Sequence, residues 1–247
     1  MIVERLVSLL EAIARWLGLD VHKVRGALLR FGVYDVYERW LEAQVAGGPM
    51  PEHIGVILDG NRRWARMHGL KPWLGHRAGA KKVEELLKWC LKLGIKSITL
   101  YSFSTENFNR SPEEVEALMK LFEEKLRELM ESDLVHKHRV RVKVIGRLEL
   151  LPGHLRELVR EVEEATKDYD EHFLNVAIAY GGRAEIVDAV RKIAEDVRAG
   201  LLDPSDIDEE LFERYLYTSH LPEEVRDPDL IIRTSGEERL SGFLLWQ

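Results

Sequence analysis

The chain has 247 residues, with 36 Lys+Arg against 43 Asp+Glu for a formal net charge of −7, and 45% of its residues are hydrophobic. That length and apolar content suit one large α/β domain or two small ones, and 32% charged residues exclude disordered, collagenous and polytopic membrane classes. The acidic balance argues against nucleic-acid binding, and the single Cys90 leaves no internal disulfide or cysteine metal cluster, which points to a reducing, cytoplasmic setting.

The first predicted element is an amphipathic helix. Ile2, Leu6, Leu9, Ile13, Trp16 and Leu17 share one helical face, with Glu4, Ser8, Glu11 and Arg15 opposite. Charges interrupt the apolar run and no small-residue cleavage site follows, so it is not a signal peptide. No stretch reaches the roughly 18 apolar residues of a spanning helix. A second helix is predicted from Tyr34 to Ala46, ending at Gly47-Gly48-Pro49. Residues 1–48 therefore read as an N-terminal helical extension to a domain over 49–247, with simple packing or peripheral membrane contact as its two open roles.

After Pro51 short apolar runs alternate with helical periods. Strands are predicted at Ile54–Leu58, Ser97–Phe103, Val140–Ile145, Phe173–Ala179 and Leu230–Ile232. Helices are predicted near 77–93, 113–137, 154–169 and 183–199, with a short one near 209–217. Ser111-Pro112-Glu113-Glu114 is a good helix start, with a Ser cap, Pro at the first position and acids in the first turn. The alternation predicts an α/β fold, a mostly parallel central sheet flanked by helices. In such sheets ligands bind beyond the carboxyl ends of the strands.

Three strand ends carry suitable chemistry. The first strand runs into Asp59-Gly60-Asn61-Arg62-Arg63-Trp64, where a carboxylate can hold a hard cation and a glycine admits an anion to the backbone. From Gly60 through Val83 there is no acid, while Arg62, Arg63, Arg66, Lys71, Arg77, Lys81 and Lys82 are basic and His68 and His76 add donors. That block reads either as an anion site or as a solvated helix face. The second strand ends in Ser104-Thr105-Glu106-Asn107-Phe108-Asn109-Arg110, a mixture suited to a ligand apolar at one end and anionic at the other, although such residues also form ordinary turns. The last strand leads to Arg233 and Arg239, with hydroxyls including Ser241 nearby. The two arginines could clamp a second phosphate group or form surface Arg–Glu pairs. Gly146 reads as a turn, Gly181-Gly182-Arg183 as a turn into a helix, and Cys90 as a packing residue. No nucleophile elbow, zinc-protease helix or P-loop is present.

The ordered blocks H-I-G-V-I-L-D-G-N-R-R-W-A, G-H-R-A-G-A, L-Y-S-F-S-T-E-N-F-N-R and I-R-T-S-G-E-E-R-L-S-G-F-L-L-W-Q resemble the signature blocks of the cis-prenyltransferases, the family of undecaprenyl and dehydrodolichyl diphosphate synthases. The resemblance runs from about Pro49 to the end. It implies Mg²⁺-dependent condensation of isopentenyl diphosphate onto an allylic diphosphate, farnesyl or geranylgeranyl, with a Z-polyprenyl diphosphate carrier lipid as product.

By matching position, the resemblance implies that Asp59 holds Mg²⁺ and helps the diphosphate leave. The Gly60, Asn61, Arg62, Arg63, Trp64 loop, with Lys71 and His76, would cradle the allylic diphosphate. Asn107 would assist proton removal among Ser104, Thr105, Glu106, Phe108 and Arg110, and Arg233, Arg239 and Ser241 would hold isopentenyl diphosphate. Pro72 stands where bacterial members carry a basic residue, with Lys71 beside it. Family members continue past a segment like Leu244-Leu245-Trp246-Gln247 with a strand, a metal-binding glutamate and dimer contacts, so a homodimer or a heteromer with a related subunit is expected, and a chain longer than this one. The alternative is a non-catalytic partner subunit, but such subunits lack the aspartate of the first block, which is intact here.

Overall fold

The computed structural model describes residues 12–13, 15–18, 33–45 and 47–247, in two compact units, Met1–Met50 and Pro51–Gln247. In the first unit helix α1 spans Val33–Val45, one residue earlier than the predicted Tyr34 to Ala46. The predicted helix over residues 2–17 lies largely outside the described residues.

The second unit is built on five parallel strands in the order β3-β4-β2-β1-β5: β1 (His53–Ile57), β2 (Ser97–Ser104), β3 (Val140–Ile145), β4 (His172–Tyr180) and β5 (Leu230–Arg233). All of β1, and all of β4 after His172, is buried, as expected of parallel strands covered on both faces. On one face Ile98, Leu100, Leu174 and Val176 line the cavity described below. On the other, Ala177 and Tyr180 pack with Phe243 and Leu244 of the C-terminal segment. On β3, an edge strand, Val142 N donates to Thr166 Oγ1 at 3.1 Å and Val144 N to Glu163 Oε1 at 3.0 Å.

Seven helices of this unit follow in chain order: α2 (Asn61–Met67), α3 (Pro72–Leu93), α4 (Pro112–Met130), α5 (Asp133–Lys137), α6 (Gly153–Ala165), α7 (Gly182–Arg198) and α8 (Glu209–Glu213). Several boundaries differ from the sequence expectation. The Gly60–Arg63 segment, expected as a loop, is the entry to α2, with Gly60 at its N-cap in the left-handed region, φ 94°. Helix α3 starts at Pro72 instead of residue 77, because proline fits the first helical position, where no intrahelical N–H partner is needed. The single helix expected over 113–137 breaks after Met130 and restarts at Asp133. Helix α6 stops at Ala165, where the Thr166 hydroxyl donates back to Val162 O at 3.0 Å while receiving the β3 amide.

Gly75 and Gly79, one turn apart on α3, let α2 lie against it. A Cβ on Gly75 would fall 2.1 Å from Asn61 O, and one on Gly79 would fall 2.4 Å from Asn61 Oδ1. Gly146 is more than a turn residue, since a Cβ there would come within 2.1 Å of Ile178 O.

A buried polar chain crosses the face turned away from these helices. His53 Nε2 meets Thr99 Oγ1 at 2.8 Å, Asn175 Nδ2 meets the same hydroxyl at 3.0 Å, and His220 Nε2 meets Asn175 Oδ1 at 2.8 Å. Burial holds the pKa of both histidines down at about 4, against backbone carbonyls that favour protonation.

Candidate active site

Parallel pairing assembles the site. Ile57 at the end of β1 is in register with Tyr101 on β2 and Arg233 on β5. Asp59, two residues past Ile57, therefore meets Ser235, two residues past Arg233. Ser235 Oγ donates to Asp59 Oδ2 at 2.7 Å, and Arg233 reaches the same oxygen from Nη2 at 2.6 Å and Nε at 3.0 Å. Gly60 N donates to Asp59 Oδ1 at 2.7 Å, and Thr234 Oγ1 donates to the Asp59 carbonyl at 2.8 Å. Burial opposes the charge on Asp59, but the bonds from Ser235, Arg233 and the Gly60 amide outweigh it and bring its pKa to about 2. Asp59 is therefore an anion at any physiological pH.

Beside this carboxylate lies a second group of charges. His76 on α3 approaches Glu114 Oε1 on α4 at 3.1 Å, Arg110 Nη1 donates to the same oxygen at 3.0 Å, and Arg62 Nε lies 3.5 Å from it. Burial lowers the His76 pKa, and the nearby Arg110 and Arg62 charges add to that against the pull of Glu114. Ser104 and Asn107 close the β2 end reciprocally: Asn107 Oδ1 accepts from Ser104 N at 3.1 Å, while the Ser104 side chain accepts from the Asn107 amide. The Asn107 oxygen is thereby fixed, which leaves its NH₂ as the free donor end of the carboxamide.

Behind these groups a cavity of about 660 Å³ runs between the sheet and helices α3 and α4. Asp59, Asn61, His76, Asn107, Arg110, Arg233 and Ser241 line its polar end. Val83, Leu87, Leu100, Phe103, Leu118 and Phe122 line its middle, and it extends to Val140 and Phe173 at the amino ends of β3 and β4. Val83, Leu87 and Leu91 of α3 succeed one another at one-turn spacing and form an apolar wall. This volume is within the range of pockets that enclose a drug-sized ligand, and its lining suits an apolar chain with an anionic head.

Not every expected site residue gathers here. Arg63 donates to Ser235 O at 3.1 Å and Phe108 packs edge-to-face on Phe103, while Thr105 and Glu106 stand in the 3₁₀ turn after β2, with Glu106 lining the cavity. Trp64 stacks on His68 with ring centroids 4.3 Å apart, and Lys71 sits 4.9 Å over the Trp73 ring, outside the cavity lining. Arg239 pairs with Glu237 at 3.0 Å, while Arg233 Nη1 reaches the Arg239 carbonyl and Ser241 Oγ. Much of the basic block is a solvated face, with Arg77 on Glu124 and Lys82 on Glu85. Cys90 is buried, lines the cavity, and has its thiol pKa pushed up to about 11 by burial, which suits packing and not nucleophilic chemistry. The sequence does not single out Glu114, nor the bonds that the Ser235 and Thr234 hydroxyls make to Asp59. Only the parallel register and the fold back of α4 bring them in.

Among the described residues no three His, Cys, Asp or Glu side chains form a ready metal cage. An ionised carboxylate beside arginine, hydroxyl and amide donors is nevertheless compatible with Mg²⁺, which takes one or two protein carboxylates and completes its shell with substrate phosphates and water.

The family described as "Putative undecaprenyl diphosphate synthase" matches residues 57–247. A tritrans,polycis-undecaprenyl-diphosphate synthase (geranylgeranyl-diphosphate specific) of Pyrococcus horikoshii is 58% identical over 214 residues, 87% of this chain and 80% of that protein. A crystal structure of lavandulyl diphosphate synthase from Lavandula x intermedia in complex with dimethylallyl diphosphate is similar with a TM-score of 0.74 at 39% identity, covering 80% of this chain and 83% of that one. A probable undecaprenyl diphosphate synthase from Campylobacter jejuni gives a TM-score of 0.62 at 32% identity, covering 81% and 82%.

Proposed function

Since the chain belongs to the undecaprenyl diphosphate synthase family of cis-prenyltransferases, we propose that it lengthens geranylgeranyl diphosphate by repeated addition of isopentenyl diphosphate, giving a Z-polyprenyl diphosphate. The observation that carries this reading is the union of one ionised, arginine-bound carboxylate, Asp59, with an apolar cavity leading away from it. An allylic diphosphate fits with its head at Asp59, Asn61, Arg62, His76 and Arg110 and its tail along Val83, Leu87 and Phe122. The printed specificity of the Pyrococcus relative supports geranylgeranyl diphosphate as the primer.

The reaction breaks the allylic C1–O bond, joins C1 to C4 of isopentenyl diphosphate, and removes a proton from C2 of the latter. Arg233 and Ser241 would hold the isopentenyl diphosphate head, while Arg62 and Arg110 neutralise charge on the departing diphosphate where it develops and His76 adds a hydrogen bond. Asn107, fixed through its oxygen, would orient the group that accepts the proton. The apolar walls keep water from the allylic cation. Mg²⁺ held by Asp59 and the phosphates would supply further neutralisation of the leaving group.

The intact Asp59 site supports an enzyme over a non-catalytic partner subunit. Among the described residues no helix is long and apolar enough to cross a membrane. The amphipathic pattern of the sequence over residues 2–17 supports peripheral contact, which co-sedimentation with liposomes before and after deletion of residues 1–30 tests. For the activity, the purified chain is given labelled isopentenyl diphosphate, Mg²⁺ and either geranylgeranyl or farnesyl diphosphate, and butanol-extractable label is counted. Label from geranylgeranyl diphosphate in excess of farnesyl supports the assignment; none from either overturns it.

A further inference from the structure

Glu114 occupies the third position of α4, where a glutamate ordinarily reaches back to the amide of the N-cap residue. Here the Ser111 hydroxyl accepts from the Glu114 amide at 3.3 Å, but the carboxylate turns to His76 and Arg110, which line the polar end of the cavity. Its side chain is 4% exposed, and a single oxygen, Oε1, meets His76 at 3.1 Å, Arg110 at 3.0 Å and Arg62 at 3.5 Å. A buried ion pair is a weak source of stability, because desolvation offsets most of the attraction. The arrangement makes more sense as placement. Three donors from three segments, α2, α3 and the turn after β2, are drawn to one point on a fourth element, and without an anion between them the two arginines would repel one another.

We infer that Glu114 is a positioning residue for the allylic diphosphate site, holding Arg62, His76 and Arg110 together at the cavity mouth before substrate arrives. This rests on the reading of those three side chains as diphosphate ligands. Glu114 itself, being an anion, does not touch the diphosphate. It acts by fixing where its three partners stand.

The test uses the full chain with Glu114→Ala and Glu114→Gln, the latter keeping an oxygen for His76 and Arg110. Two quantities are read: KM for each substrate, and the Kd of geranylgeranyl thiodiphosphate, an unreactive analogue, by calorimetry. For Glu114→Ala we expect KM for the allylic primer and the analogue Kd to rise about 10- to 100-fold, KM for isopentenyl diphosphate to move by less than about 3-fold, and Glu114→Gln to fall between. On a His76→Ala background, Glu114→Ala should cost less than on the wild type, because the two act through one contact. Equal changes in both KM values, an unchanged analogue Kd, or strictly additive double-mutant effects would overturn the inference. If circular dichroism shows that Glu114→Ala does not fold, the same inequality is read from Glu114→Gln. A wild-type chain that incorporates no isopentenyl diphosphate would instead defeat the proposed function, so the two failures are distinguishable.

Discussion

Arg233 gives two hydrogen bonds to one oxygen of Asp59, from Nη2 at 2.6 Å and Nε at 3.0 Å, across 174 residues of chain. On the proposed assignment the same arginine takes the isopentenyl diphosphate head, so the carboxylate and the substrate would compete for its guanidinium, and Asp59 would gain freedom to hold a cation if Arg233 turned toward phosphate.

Asp59→Ala should lower kcat/KM by at least a hundredfold, as expected for loss of a group that stabilises developing charge, while the chain still folds, with a lower Tm because the bonds from Ser235, Arg233 and the Gly60 amide are lost. Steady-state incorporation together with a melting curve checks this. Near-normal turnover would remove Asp59 from the mechanism.

Arg233→Ala and His76→Ala should separate the two diphosphates. The first raises KM for isopentenyl diphosphate more than that for the primer, and the second does the reverse, each by about tenfold for a lost charge-assisted contact. Matching shifts for both substrates in both variants would show that the sites are not divided in this way.

Gly75→Ala pushes a methyl group to 2.1 Å from Asn61 O, on backbone that cannot give way cheaply. A loss of about 1–3 kcal/mol is expected from overpacking, read as a lower Tm. Gly79→Ala meets only the Asn61 side chain, at 2.4 Å. It should cost less stability and more activity, since Asn61 lines the cavity.

Acid should destabilise the fold before it protonates Asp59. His53 and His220 have folded pKa values of about 4 against an ordinary 6.5. Between those values the unfolded chain binds more protons than the folded one, so stability falls as pH drops from about 6.5 to 4. At about 1.4 kcal/mol per pKa unit the combined loss is several kcal/mol. Asp59, with its pKa of about 2, stays ionised through that window. Urea midpoints at pH 7 and pH 4.5 measure the effect, and a His53→Gln variant should flatten it. A midpoint independent of pH over this range would contradict the buried-histidine account.

Leu87→Trp should shorten the product, because it fills the α3 wall midway along the cavity while sparing the polar end. Thin-layer separation of dephosphorylated products reads the shift; an unchanged length distribution would mean that the growing chain does not follow this wall.

The sequence made the parallel sheet legible because its strands are short, apolar and separated by helical periods. It made Asp59, Arg233 and Asn107 legible because they follow strands directly. It did not reveal which members of the basic block matter. Arg62 and Arg77 look alike in the sequence, yet one approaches the buried Glu114 and the other the exposed Glu124. Glu114 itself reads as an ordinary first-turn acid, because burial is a property of how α4 returns over α3. The break at Glu131 and Ser132 was hidden for a related reason: Leu129, Leu134 and Val135 continue an apolar pattern through it, and all three line the cavity.

The side chains of Thr166 and Glu163 that receive the Val142 and Val144 amides also decide what the sheet can do in company. A bare β-strand at a sheet margin offers a ladder on which a neighbouring chain can polymerise. Here two rungs of that ladder are already taken by Glu163 of helix α6 and by Thr166 at its C-cap, with Lys143 on Glu163 at 2.7 Å adding charge beside them. Growth by strand addition at β3 would first have to break these bonds, so this margin resists aggregation even when the chain is crowded.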